Sequence, residues 1–284
     1  MQTLALLLKL SLLKLKIKGG IDNINCGVSY AKDIRSKLRI IGGREATKGR
    51  WPWQVAILNR LREPFCGGTL IAPQFVLTAA HCVRKRLFVR AGEHDLFKNE
   101  GTEQEVRVVE AFVHPKFDVE TVDNDIALLR LRRPLKLGKY VSTACLPSSS
   151  DHLKMNTMGI ILGWGKKRNS ALFGTDVLHQ AQVPIADLTQ CRLVYQDYYI
   201  SDNMICAGFE SGRVDTCAGD SGGPLLFSKN GKWHVFGITS FGEGCGRRGK
   251  YGIYAKVVNY VKWIRKTVRK SVKLQLWKKR RKYD

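Results

Sequence analysis

The chain has 284 residues, 44% hydrophobic and 25% charged, an ordinary balance for a globular protein with room for one large domain or two small ones. Forty-eight Lys and Arg face twenty-four Asp and Glu, a formal +24 that predicts attraction to polyanions but says little about fold. No apolar run approaches the ~18 residues of a membrane span, and the eight cysteines include no C-x-x-C pair at zinc spacing, which argues against a metal finger.

In chain order, residues 1–39 are basic and leucine-rich, with a lone Cys26 and a loop-like Gly19-Gly20. Residues 1–18 read as a degenerate secretion signal: the longest apolar run is Leu4 to Leu8, and Lys9, Lys14, Lys16 and Lys18 interrupt the remainder. From Ile40 the texture becomes short β-type runs between turns, among them Trp53–Leu58, Leu87–Arg90, Asp125–Arg130 and Trp233–Thr239. Near the end the period changes to that of a helix, with Val261, Ile264, Val268 and Val272 on one face. A basic stretch, Lys278 to Lys282, lies beyond it. An even cysteine count predicts disulfides and an oxidising, extracellular compartment.

The chemistry concentrates around Ser221, in Gly219-Asp220-Ser221-Gly222-Gly223-Pro224. A serine hydroxyl is a weak nucleophile that needs a base within reach and donors for an oxyanion, and flanking glycines let two backbone N–H groups point at one spot. The bare Gly-x-Ser-x-Gly pattern also fits the elbow of α/β-hydrolases, in which acid and histidine come after the serine. Here the only histidine to do so is His234, inside an apparent strand. Upstream lie His81, in Leu77-Thr-Ala-Ala-His-Cys82, and Asp125, in Asp123-Asn-Asp-Ile-Ala-Leu-Leu129. The order His, Asp, Ser is that of chymotrypsin.

Together with Ile40-Ile-Gly-Gly43 and Cys66-Gly-Gly68, these segments resemble the chymotrypsin/trypsin family over Ile40 to about Lys266. The resemblance implies an all-β fold of two six-stranded antiparallel β-barrels with a C-terminal α-helix and the active site in the cleft between them. It divides the chain into an N-terminal propeptide (1–39), a protease domain (40–266) and a basic extension (267–284). By the same resemblance His81 is general base, Asp125 orients it, Ser221 is nucleophile, and the backbone N–H groups of Gly219 and Ser221 form the oxyanion hole. Ser240 matches the serine that hydrogen-bonds the triad aspartate.

The family pattern places Asp215 on the floor of the primary pocket, where a carboxylate selects a substrate Arg or Lys. Thr216 stands beside it, Gly242 and Gly252 match the pocket walls, and Phe241 keeps an aromatic platform where the family mostly has Trp. Arg39 before Ile40 resembles an activation cleavage site: the new ammonium at Ile40 would bury against Asp220. Breaking such a buried pair costs about 3–5 kcal/mol, enough for a switch. The family pattern also assigns the disulfides Cys66–Cys82, Cys191–Cys206, Cys217–Cys245 and Cys26–Cys145, the last tying the propeptide to the enzyme as a monomer of two linked chains.

The loop Glu93 to Glu103 resembles the calcium loop of trypsin, with Glu93, Glu100 and Glu103 as carboxylates and Asp95 and Lys98 offering backbone carbonyls to Ca²⁺. A hydrated acidic hairpin reads the same residues equally well. Tyr251 stands where relatives with Tyr often bind Na⁺. No cofactor is required. Expected partners are protein or peptide substrates and inhibitors of the serpin or Kunitz type. From Lys262 to Asp284 there are eleven Lys or Arg and one acid, which points to heparin-like polyanions or an anionic membrane surface rather than nucleic acid. The style of the Cys-linked propeptide is similar to clotting-type proteases. No Gla, EGF or kringle module precedes the domain, so either a compact relative or the C-terminal piece of a mosaic is expected. The rival class is a catalytically silent, polyanion-binding protease homologue.

Overall fold

A computed structural model describes residues 25–31, 43–165, 174–212, 219–243 and 247–280. Thirteen strands and two helices make up the described chain. The strands are β1 (Arg44–Glu45), β2 (Gln54–Leu58), β3 (Pro64–Ala72), β4 (Phe75–Thr78), β5 (Phe88–Ala91), β6 (Gln104–Val113), β7 (Ala127–Leu131), β8 (Met158–Gly163), β9 (His179–Pro184), β10 (Met204–Ala207), β11 (Pro224–Lys229), β12 (Lys232–Phe241) and β13 (Gly252–Lys256). The helices are α1 (Leu188–Val194) and α2 (Val257–Arg280).

Strands β2–β3–β4–β7–β6–β5 close into an antiparallel barrel. β2, β4 and β7 are almost wholly buried, because they carry runs such as Val55-Ala-Ile-Leu58 and Ala127-Leu-Leu129 that meet core on both faces. The second sheet runs β1–β9–β8–β11–β12–β13–β10, seven strands rather than six because the two-residue β1 is added to β9. Its remaining six strands form a ring whose ends meet at the single bridge Ile185–Ala207. Two backbone bonds clasp it: Ala186 N–H to Cys206 C=O and Gly208 N–H to Pro184 C=O, both 2.9 Å. The two-barrel β fold with a C-terminal helix implied by the resemblance is the fold observed.

One apolar cluster runs from the first barrel through Leu226, Val235 and Ile238 of the second into Tyr260, Ile264 and Val268 of α2. The helical face read from the sequence is the buried one: Val261, Ile264 and Val268 are at most 2% exposed. Burying each such side chain stabilises by ~1.5–3 kcal/mol, which is why a helix without a single acid to pair its cations still docks. α2 continues without a break across residue 266, and Ser271 is still buried against the body of the protein.

Disulfides join Cys66 to Cys82, Cys191 to Cys206 and Cys26 to Cys145. Cys217 and Cys245 lie outside the described residues. The segment carrying Cys26 adds to the rim of the second barrel: Gly27 N–H donates to Thr143 C=O (2.7 Å), and Trp233 N–H donates to Gly27 C=O (2.9 Å). Only glycine fits there, since a Cβ at position 27 would lie 2.6 Å from Trp233 backbone, with φ at +71°.

Candidate active site

β4 ends at Thr78 and the chain tightens into a 3₁₀ turn, Ala80–Cys82, whose central residue is His81. The turn is pinned at its end by the Cys66–Cys82 bond and at its middle by Asp125, which accepts the His81 backbone N–H at Oδ1 (3.0 Å). The second carboxylate oxygen lies 2.7 Å from His81 Nδ1. Asp125 is 1% exposed, whereas the His81 side chain is 35% exposed. Ser240, near the end of β12, donates its hydroxyl to Asp125 Oδ2, so residues of both barrels meet on one carboxylate. A buried acceptor at Nδ1 fixes the proton there and leaves Nε2, on the open side, as the basic nitrogen.

The Ser221 loop is sewn to both barrels. Ser221 C=O accepts from Gly67 N–H of β3 (2.8 Å), and Gly222 N–H donates to Thr239 C=O of β12 (2.8 Å). Gly219 and Gly222 have φ of +104° and +78°, and a Cβ on Gly222 would lie 2.2 Å from Thr78 Oγ1. That crowding explains the glycines around the serine. Between them, the Asp220 carboxylate enters a slot formed by Gly163 and Gly165, accepting the Gly165 N–H at 2.7 Å. A Cβ on Gly163 would lie 1.7 Å from Asp220 Oδ1, and one on Gly165 2.6 Å from the same atom.

A trypsin family model matches residues 40–264. The chain belongs to the trypsin family. It is 39% identical over 236 residues to vitamin K-dependent protein C from Oryctolagus cuniculus, an alignment covering 80% of this chain and 51% of that protein. The chain therefore spans about half the length of that relative.

The other expected site residues of this trypsin-family chain divide into those that the structure describes and those outside the described residues. Phe241 closes β12 and stacks on Tyr198, ring centroids 6.0 Å apart. Gly252 opens β13, is buried and pairs with Ala207, while Gly242 is exposed just past Phe241. Tyr251, beside it, accepts a 2.6 Å hydrogen bond at its carbonyl from Tyr195, and burial raises its phenol above the usual value. Asp215, Thr216, Arg39 and Ile40 lie outside the described residues. On the far side of Gly219, a groove of about 540 Å³ runs between Phe65, Leu96, Phe97 and Trp164.

The three glutamates Glu93, Glu100 and Glu103 converge, with one carboxylate oxygen from each within 4.8 Å of the others. Burial raises the Glu93 carboxyl, Arg90 opposes this at 3.2 Å, and Lys48 sits 2.9 Å from Glu100. Three hard oxygen donors converging in one loop, partly neutralised by two cations, fit a calcium ion. Asp95 uses its carboxylate on Lys98 Nζ (2.9 Å), and its carbonyl accepts the Lys98 N–H (3.1 Å).

Sequence reasoning left several residues out. Tyr198 as the partner of Phe241, Gly163 and Gly165 as the Asp220 slot, and the bond from Gly67 to Ser221 all join segments far apart in the chain. Only the glycines at 163 and 165, flanking Trp164 after an apolar run, gave any signal.

Proposed function

We propose that the protein is a secreted serine endopeptidase that cuts peptide bonds after Arg or Lys, released from a zymogen by cleavage after Arg39. The observation that carries this reading is a partly exposed His81 held by the buried Asp125, with the Ser221 loop bonded to both barrels.

Ser221 Oγ attacks the scissile carbonyl carbon as His81 Nε2 takes its proton. The oxyanion that forms is met by the N–H groups of Gly219 and Ser221, worth about 10²–10³ in rate for one such donor. The imidazolium is stabilised by Asp125, which keeps its own charge, and His81 then gives the proton to the leaving amine. Water repeats the sequence on the acyl-enzyme. Asp215 is the residue that selects a cationic side chain, and Asp220 is the counter-ion for the new Ile40 ammonium. A Ca²⁺ held by Glu93, Glu100 and Glu103, with the Asp95 and Lys98 carbonyls, would brace the loop that borders the groove. Disulfides support secretion, because such bonds persist in oxidising compartments.

The exposed cations Lys262, Lys266, Lys270 and Lys273 fall along one side of α2 at spacings of three or four residues and favour a sulfated polyanion as a partner. Labelling by a fluorophosphonate tests the central reading. After cleavage at Arg39, the protein should take the label at Ser221 and hydrolyse an Arg amide, and Ser221→Ala should do neither. An unlabelled, inactive wild type would leave the silent polyanion-binding homologue as the better description.

A further inference from the structure

The residue before Asp125 is more heavily tied than a loop residue needs to be. Asn124 is 8% exposed and adopts left-handed backbone, φ +56°. Every polar atom of its side chain is engaged: Nδ2 donates to Lys116 C=O and to Asp123 Oδ2, both 2.9 Å, and Oδ1 accepts the Tyr260 hydroxyl at 3.2 Å. Its backbone carbonyl accepts the Ile126 N–H at 2.8 Å, an i to i+2 bond that makes Asp125 the middle residue of a three-residue turn. Rotation of the Asn124 amide would therefore twist the turn that aims the Asp125 carboxylate.

Tyr260 is well placed to prevent this rotation. It sits in the first turn of α2, 3% exposed, edge-on to His114 at 5.1 Å. His114 in turn meets Trp263 at 5.0 Å and donates its backbone N–H to Ile126 C=O (3.0 Å). Burial raises the Tyr260 phenol far above its usual value, so it stays a hydrogen-bond donor at any working pH. Asp123, on the other side, accepts the Ser201 hydroxyl (2.5 Å) and the Asn203 amide (3.3 Å), both from the approach to β10 of the second barrel. The loop belongs to the first barrel, yet helix and second barrel hold it.

We propose that Tyr260 and Asn124 form a positioning pair through which the C-terminal helix sets the orientation of Asp125, and so the direction and basicity of His81. This rests on the proposed catalytic role of His81 and Asp125. Neither residue of the pair touches substrate. Their effect is on how often the His81–Asp125 bond is well formed.

Tyr260→Phe keeps the ring and its contacts and removes only the hydroxyl. In the protein cleaved after Arg39, kcat on an Arg amide should fall about three- to tenfold, what removal of one neutral hydrogen bond gives, with KM within about twofold. The downfield proton resonance of His81 Nδ1–H, which reports the 2.7 Å bond to Asp125, should shift or broaden. Asn124→Gly, which keeps the left-handed backbone and removes the whole side chain, should do the same, and the double variant should be no worse than Asn124→Gly alone. If Tyr260→Phe does not fold, Asn124→Gly carries the test by itself. An unchanged resonance with unchanged kcat overturns the pair. The resonance reads the geometry whether or not substrate is turned over, so a wild type that takes no fluorophosphonate would sink the proposed function and leave the positioning result to stand or fall by the spectrum.

Discussion

Gly163→Ala places the smallest possible side chain where Asp220 keeps its carboxylate. The added Cβ would start 1.7 Å from Oδ1 and 2.5 Å from the carboxyl carbon. Ordinary non-bonded separations exceed ~3 Å, so the carboxylate must retreat by more than ~1 Å. The same oxygen is held by the Gly165 N–H, so a carboxylate displaced by the new methyl must leave that donor. Leaving breaks the 2.7 Å bond from Gly165 N–H. A hydrogen bond to a charged group is worth ~1.5–3 kcal/mol, so the competent arrangement of the Gly219–Ser221 loop should lose about tenfold to 150-fold in population. The assay is a burst titration of active sites beside kcat/KM on an Arg amide, using protein cleaved after Arg39. The burst amplitude should drop with kcat/KM, while the Tm moves little, because position 163 is only half-buried at the end of β8. Gly138→Ala, whose Cβ would meet nothing within 4 Å, serves as the control. A Gly163→Ala enzyme within twofold of wild type in both readouts would refute the claim that the slot sets the loop.

Calcium should raise the Tm more at neutral than at acid pH. Burial raises the Glu93 carboxyl in the folded protein, so the stability linked to its proton is present below its unfolded pKa and lost as pH rises through the folded value. An ion compensates that loss only when the three glutamates are ionised, so equal Tm gains at about pH 4 and about pH 7.5 would argue against the site. Cleavage after Arg39 should leave both pieces together on a non-reducing gel and separate them on a reducing one, through Cys26–Cys145; release of the small piece without reductant contradicts the bond. Truncation after Val272 keeps the buried Ser271 but removes Lys273 and Lys278 through Lys282, and should lower the salt that elutes the protein from heparin-Sepharose, since the salt slope scales with charge contacts. Elution at unchanged salt would assign the polyanion affinity to the barrel surfaces.

What could be read in advance was local or periodic. The valines and isoleucine at 261, 264 and 268 announce a buried helical face because a 3.6-residue period needs no partner to be visible. Asp125, which looked like the first residue of a strand, lies instead just before β7, because Asn124 turns left-handed and Asp125 sits in the tight turn immediately after it. The hold of α2 on that turn joins residues 136 apart, which no pattern within one element contains. The second barrel was legible as short strands between turns, but not its manner of closing. Ile185 and Ala207 are ordinary apolar positions until tertiary packing brings β9 and β10 side by side.

That manner of closing has a mechanical consequence. The first barrel is continuous around its circumference, whereas the second is a split ring whose ends are latched by the amides of Ala186 and Gly208. A split ring deforms first at its gap. Hydrogen exchange at these two amides should therefore outpace that of the buried strands around the rest of the ring, by local opening that leaves the fold intact. Gly208 is also the point from which the chain departs toward Asp215 and Ser221. Opening at the latch would loosen the second barrel where β9 meets β10, whereas the barrel that carries His81 and Asp125 is closed and has no such gap.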